Sequence, residues 1–133
     1  EIPLSRRPRV MVCVTRQKTC ERLIRVGKKL VNGSEGELVV VHVSRVGDNF
    51  LGSNDEGEAL DYLFQEAKNA GANLTVIRSD NILNTLLDQA KKNNITEIVM
   101  GESPEAGSGP NLIQNMERML PKVKFNIIPT RHN

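Results

Sequence analysis

Five short apolar runs alternate with segments of helical periodicity, and this alternation constrains the fold more than any other feature of the chain. The runs at residues 10–14 and 38–43 are apolar at nearly every position. Strands that are apolar on both faces are typical of the centre of a parallel sheet, because crossover helices cover both sides. Shorter runs at 74–77, 98–100 and 125–128 complete the set. The pattern therefore predicts five parallel strands.

The four segments between the runs repeat apolar residues at intervals of three and four, as amphipathic helices do. The first segment ends at Asn32 and Gly33, a typical helix stop. The second opens with a capping-box pattern at Asp55. Its predicted buried face consists of four residues: Leu60, Leu63, Phe64 and Ala67. The third helix is predicted to begin near Asp80 or Asn81, and the fourth has Pro110 in its first turn.

Together these elements predict an α/β fold, an open parallel five-stranded sheet with helices on both faces. The 133 residues suit one domain, residues 1–133, with one hydrophobic core. Residues 46–54 are rich in Gly, Asp, Asn and Ser, and they form the one long flexible loop that the pattern predicts.

The composition excludes several classes of partner. The net charge is +2, and aromatic residues make up 3% of the chain, with no Trp. Nucleic-acid binding calls for a basic stripe or for stacking aromatic side chains, so we expect no nucleic-acid partner. No apolar run approaches the roughly twenty residues of a membrane span, so we expect no membrane contact by this segment.

The two cysteines, Cys13 and Cys20, allow three interpretations: a redox pair, half of a metal site, or two buried small hydrophobic side chains. Their spacing is not CxxC, and neither a third Cys nor a nearby His accompanies them, so we expect buried thiols in a reducing cytoplasm. His42 lies in an apolar strand near its carboxyl end. We expect a buried ring that bonds to a neighbouring backbone group rather than a catalytic base.

In open α/β sheets, ligands bind beyond the carboxyl ends of the strands, where the strand order reverses. Two loops face such a ligand if the first and fourth strands are neighbours at that point. The candidate binding residues are Thr15, Arg16 and Lys18 in the first loop and Gly101, Gly107, Ser108 and Gly109 in the second. The first loop offers hydroxyl and cationic groups before a helix, and the glycines of the second let backbone N–H groups approach a phosphate. The alternatives are a solvated basic turn and a flexible loop before a proline-capped helix.

The residues do not form a recognisable catalytic or metal-binding constellation. Ser103 has no GxSxG context, and Asp55, Glu56 and Glu58 are better explained as capping and solvating a helix. The glycine-rich loop lacks both the GxGxxG pattern and the Lys of a P-loop. We therefore expect the domain itself not to be an enzyme.

The sequence resembles the universal stress protein family over about residues 8–129. RVMVCVT is similar to the family's first strand, and TCERLIRVGKKL to its first helix. ELVVVHV resembles the second strand with its His-Val ending, and DNILNTLLDQAKKNNITEIVMGES resembles the helix, loop and fourth strand that ends in glycine. Within the family, the likeness is strongest to the stress-protein domain of KdpD-type osmosensitive potassium sensor kinases.

This resemblance implies the sheet order 3-2-1-4-5 and places a nucleotide in the same crevice. Nucleotide-binding members carry a glycine, two residues, a second glycine, nine residues and then Gly-Ser or Gly-Thr. Gly101 matches the first glycine, but Pro104 occupies the second position, and Gly109 and Pro110 replace the closing pair at a shorter spacing. Thr15 stands where many members have an acidic residue. The cofactor stays open between ATP, for which the pattern is degenerate, and a cyclic dinucleotide such as c-di-AMP, which some KdpD-type domains bind.

The residues and the resemblance together predict a cytoplasmic regulatory domain of a KdpD-like sensor histidine kinase, a two-component signal-transduction protein for potassium and osmotic stress. Such a domain binds a nucleotide or a protein partner and relays its state to neighbouring kinase modules. The start at Glu1 rather than Met fits a piece excised from a larger sensor. The first alternative is a stand-alone ATP-binding universal stress protein that forms a homodimer through the last strand, and the second is an enzyme of the related adenine-nucleotide hydrolase group.

Overall fold

Nine elements alternate along the chain, in the order that the sequence pattern predicts. The structure is a computed structural model, and it describes residues 7–15, 17–33, 35–47, 49, 51, 53–102 and 112–129. The elements are β1 (Arg9–Val14), α1 (Gln17–Val31), β2 (Glu37–Ser44), α2 (Glu56–Asn69), β3 (Asn73–Arg78), α3 (Ile82–Lys92), β4 (Glu97–Gly101), α4 (Leu112–Met119) and β5 (Lys124–Ile128).

All five strands are parallel, and their order in the sheet is β3-β2-β1-β4-β5. The predicted sheet order is therefore confirmed. β1 lies at the centre, with β2 in register on one side and β4 on the other, where Val12 faces both Val40 and Val99. β3 and β5 are the two edge strands.

Helices cover both faces of the sheet, because successive side chains of a strand point to opposite faces. Val10, Val12 and Val14 of β1 lie in one core with α1 and α2. Met11 and Cys13 lie in the other core with α3 and α4. The continuous apolar runs thus supply two cores, one above and one below the sheet.

Short polar side chains start two of the helices, as their sequences predict. The carboxylate of Asp55 accepts a hydrogen bond at 3.0 Å from the backbone N–H of Glu58, and Asn81 accepts one at 3.0 Å from Asn84. After α1, Gly33 adopts a left-handed φ of 76°, which a glycine reaches without steric cost.

The predicted buried face of α2 is wrong at two positions. Leu63 and Ala67 are buried together with Ala59, but Leu60 is 46% exposed and Phe64 is 52% exposed. The buried stripe of α2 is narrow because this helix lies over an edge strand. Among the described residues, no further element covers the outer flank of α2. Leu60 and Phe64 therefore remain on the surface.

A search for membrane-spanning helices among the described residues finds none that is both long and apolar enough to cross a bilayer.

Candidate functional site

The crevice predicted from the sequence lies between the carboxyl ends of β1 and β4. These two strands are neighbours in the sheet, yet the chain leaves β1 for α1 on one face and leaves β4 for α4 on the other. The two following helices therefore lie on opposite faces of the sheet, the arrangement at which other open α/β folds bind ligands beyond the strand ends.

Thr15 and Gly101 are the predicted site residues that the structure describes fully. Thr15 follows β1 directly and is exposed, and Gly101 ends β4 and is half-buried. The register of β1 and β4 pairs Val12 with Val99, so the ends of the two strands lie side by side. A Cβ atom built on Gly101 has its nearest neighbour among the described residues, Leu23 Cδ1, at 4.0 Å, so no described residue fills the space beside Gly101.

The remaining predicted site residues are described in part or not at all. Lys18 lies in the first turn of α1, beside the crevice, and its side chain lies outside the described residues. Arg16, Gly107, Ser108 and Gly109 also lie outside them. The first turn of α1 contains no acidic residue, so no side chain of that turn offsets the positive end of the helix dipole.

Arg22 of α1 is a further charged residue at this edge of the sheet that was not among the predicted site residues. Its side chain is half-buried, and its guanidinium donates a hydrogen bond to the carbonyl oxygen of Pro129, the residue after β5. Its Nε atom is buried without a hydrogen-bond partner among the described residues. Because β4 lies between β1 and β5, this side chain brings a positive charge to the end of β4. The helical period alone did not reveal this role, because an arginine on a helix flank is ordinarily solvated.

His42 fixes the neighbouring loop to the carboxyl edge of the sheet. The ring is 2% exposed, and Nδ1 lies 2.8 Å from the carbonyl oxygen of Val14. Since that oxygen only accepts, Nδ1 carries the proton and Nε2 is the acceptor, which receives the N–H of Leu51 at 3.4 Å. The predicted buried histidine bonded to a backbone group is thus confirmed.

The neutral form of His42 is favoured by its surroundings. Burial lowers the pKa of the ring, and the positive charge of Arg78 on β3 lowers it further, while the bond to Val14 opposes both. Leu51 is 3% exposed and has a left-handed φ of 53°. The loop before α2 is therefore anchored at Leu51, a contact that its polar composition did not predict.

Ser44 adds a polar group to the end of β2, the strand on the other side of β1. It is 6% exposed, and its hydroxyl is buried without a hydrogen-bond partner among the described residues. Its carbonyl oxygen accepts from the N–H of Ser79 at 2.8 Å. A buried hydroxyl without a partner is costly, and a ligand group at this edge can satisfy it.

A second depression lies at the opposite, amino edge of the sheet. It has a volume of about 350 Å³ and is lined by Lys28, Asn32, Glu37 and Asn73, among others. α1 and α2 end here, so backbone carbonyl groups rather than N–H groups face it. This groove therefore lacks the helix N-termini that favour a phosphate, and the predicted site residues lie at the other edge.

Both cysteines are buried, as predicted. Burial raises the pKa of Cys13 to about 12, and burial together with the charge of Glu66 raises the pKa of Cys20 to about 12. Because the thiolate is the reactive species, we expect no labelling of the native protein by a thiol reagent at pH 8, and labelling of both residues in urea. Rapid labelling of the native protein would contradict the packing around β1.

The chain resembles known proteins in sequence and in fold. No protein-family model matches it. The sensor protein KdpD of Mycobacterium tuberculosis is 35% identical over 97 residues, which are 73% of this chain and 11% of KdpD. The chain therefore spans about a tenth of the length of the curated relatives it matches.

Solved structures of universal stress proteins share this fold. One from Archaeoglobus fulgidus has a TM-score of 0.63 at 23% identity, over 91% of this chain and 43% of that chain. A universal stress protein in complex with cAMP has a TM-score of 0.65 at 16% identity, over 93% of this chain and 98% of that chain. A universal stress protein from Archaeoglobus fulgidus in complex with dAMP has a TM-score of 0.53 at 14% identity, over 93% of this chain and 97% of that chain. At these identities the likeness concerns the fold.

Proposed function

Because the chain has the universal stress protein fold and is related in sequence to a segment of the sensor protein KdpD, we propose that it is a regulatory domain of a KdpD-like sensor kinase. In this proposal the domain binds a nucleotide in the β1–β4 crevice and relays its occupancy to adjoining kinase modules during potassium or osmotic signalling. Its role is regulatory and not catalytic.

The observation that carries the ligand proposal is the set of groups at the carboxyl ends of β1 and β4. Among the described residues, Gly101 has open space at the end of β4, and the N-terminus of α1 and the guanidinium of Arg22 bring positive charge to the same edge of the sheet. Two proteins with this fold were solved with adenine nucleotides, cAMP and dAMP. An adenine nucleotide is therefore the ligand class that we propose.

Gly101→Val tests this site with little expected change in stability. The Cβ atom of the new residue has no neighbour closer than 4.0 Å, so the fold accommodates it, but the branched side chain fills the space beside the strand end. We expect calorimetric titration with ATP, AMP, cAMP and c-di-AMP to show saturable binding of at least one nucleotide. In Gly101→Val, that affinity should fall about tenfold or more, the loss of about 1.4 kcal/mol.

Gly57→Ala is the matched control, because it also adds a Cβ atom to an uncrowded glycine but lies on α2. Its nucleotide affinity should equal that of the original chain. If no nucleotide binds, or if Gly101→Val binds as tightly as Gly57→Ala, the crevice is not a nucleotide site, and a protein partner becomes the better proposal.

The proposed transfer of the signal from the crevice to the kinase modules is tested in the longer sensor protein. There we expect Gly101→Val to shift the dependence of kinase activity on potassium or osmotic stress, while the kinase itself stays active. An unchanged stress response would contradict a regulatory role of the crevice.

A stand-alone nucleotide-binding protein is the second candidate. It is favoured by one observation: this chain covers 98% of the universal stress protein solved with cAMP, so a chain of this length can be complete in that fold. The gene sequence on either side of the segment distinguishes the two candidates.

A further inference from the structure

The outer flank of α2 carries a stripe in which an acid, two apolar residues and a base follow one another at intervals of four. These residues are Glu56, Leu60, Phe64 and Lys68. Residues four apart lie one above the other on a helix, so the stripe forms one continuous surface. Leu60 is 46% and Phe64 is 52% exposed, and Glu56 and Lys68 are exposed as well.

This stripe faces the free edge of the sheet. Glu56 forms an ion pair with Arg78 of β3 at 2.5 Å, which places the start of the stripe beside the end of that strand. The opposite side of α2 is occupied, because Tyr62 there is half-buried against the core that contains Cys20 and Leu23 of α1. The stripe and β3 together form a flank, which we call the α2–β3 flank.

β3 itself is an edge strand without the usual protection. Among the described residues no strand pairs with its outer side, and its six residues, Asn73–Arg78, contain no proline. Val76, on the same face of the sheet as α2, is 38% exposed. An unpaired edge beside exposed apolar side chains is suited to pairing with another strand.

The stripe is complementary to itself in the antiparallel direction. When two copies of α2 lie antiparallel with their midpoints level, Leu60 of each copy meets Phe64 of the other, and Glu56 of each meets Lys68 of the other. A parallel arrangement instead places like charges together. The sequence of charges thus selects a second copy of this chain, turned by a two-fold axis.

The same two-fold axis also suits the sheet. If β3 pairs with its symmetry mate in the antiparallel direction, the axis is perpendicular to the sheet, and both α2 helices stay on the same face. α2 and β3 are of similar length, about 20 Å each, so the two midpoints nearly coincide. We propose that the α2–β3 flank is a self-association surface, on which a second copy of the chain docks antiparallel to form a ten-stranded sheet. This proposal is independent of the nucleotide site.

Phe64→Ser tests the apolar part of the surface. Sedimentation velocity over a range from low micromolar to near-millimolar protein should show a monomer–dimer equilibrium. Because a two-fold axis uses each residue twice, we expect Phe64→Ser to weaken dimerisation about tenfold or more. Met119→Ser is the control, since Met119 is 49% exposed but lies on α4, on the other face of the sheet. It should leave the equilibrium unchanged.

A mixing experiment tests the pairing itself. Glu56→Lys and Lys68→Glu each place like charges together in a homodimer, so each variant alone should dimerise weakly. An equal mixture should form a heterodimer in which both ion pairs are restored, one with the original partners and the other with the two charges exchanged. The Arg78 ion pair within the chain stays broken in the Glu56→Lys subunit of the mixture, so recovery of the dimer reports on the interface alone.

Three results would overturn the proposal. One is a monomer at every concentration, and another is a dimer that Phe64→Ser leaves intact. The third is a mixture that dimerises no better than its components.

Discussion

Replacement of Gly27 by valine is expected to unfold the chain or to destabilise it by about 3 kcal/mol. Gly27 lies in α1 where this helix contacts the sheet most closely. A Cβ atom at this position would lie 2.4 Å from Cγ2 of Val12 and 2.9 Å from Cδ1 of Leu38, far inside van der Waals contact. Val12 is fully buried and, as a β-branched residue, has little freedom to turn away. Urea unfolding followed by circular dichroism measures the loss.

Gly57→Ala again serves as the control, because its nearest new contact is Asp55 Oδ1 at 3.6 Å. Alanine has a higher helix propensity than glycine, so Gly57→Ala should be as stable as the original or more stable by up to about 1 kcal/mol. If Gly27→Val unfolds at the same urea concentration as Gly57→Ala, α1 does not pack against β1 and β2 as described.

Replacement of His42 by alanine is expected to cause the second large loss of stability. It leaves the carbonyl oxygen of Val14 and the N–H of Leu51 buried without a partner, and it opens a cavity in the core. Each unpaired buried group costs about 1–3 kcal/mol, so we expect a total loss of about 3 kcal/mol or more. The loop before α2 should also become more sensitive to proteolysis, because Leu51 loses its anchor.

The same histidine makes stability depend on pH. The pKa of His42 is lowered in the folded state, so the unfolded chain binds a proton more readily. Its contribution is therefore fully present above about pH 6.5, the unfolded pKa, and is lost as the pH falls through the lower, folded pKa. We expect the urea midpoint to fall between pH 7.5 and 5 in the original chain.

Two variants isolate this titration. His42→Asn keeps an amide N–H for the carbonyl of Val14 but does not titrate, so its urea midpoint should fall less over the same pH range. His132→Gln removes the only other histidine of the chain and should keep the full pH dependence. Equal pH dependence in His42→Asn and in the original chain would show that other groups are responsible.

The fold could be predicted from the sequence because its strongest signals are local and mutually consistent. A continuous apolar run such as that of β2 strongly favours a central parallel strand. Asp55 and Asn81 cap their helices by bonding to residues only three positions further along the chain. His42 was also predictable, since a histidine inside such a run must bond to the backbone. The resemblance to a known family supplied the strand order, which periodicity alone leaves open.

The outer flank of α2 could not be predicted, because it depends on what lies beside the helix. Periodicity places Leu60 and Phe64 on an apolar face, but only the position of β3 at the edge of the sheet leaves them uncovered. The role of Arg22 has the same origin, since its partner Pro129 is distant in sequence. Arg16, Gly107, Ser108 and Gly109 lie outside the described residues, so their role in binding stays a prediction.

The central claim is that a nucleotide occupies the crevice between β1 and β4, and amide chemical shifts of a 15N-labelled sample test it most directly. During titration with AMP, ATP or cAMP, we expect saturable shifts at Thr15 and Gly101 and at Ser44 of the neighbouring strand end. The amino-edge groove around Asn32 and Asn73 should stay unchanged. Shifts confined to that groove, or no saturable shifts with any of these nucleotides, would contradict the claim.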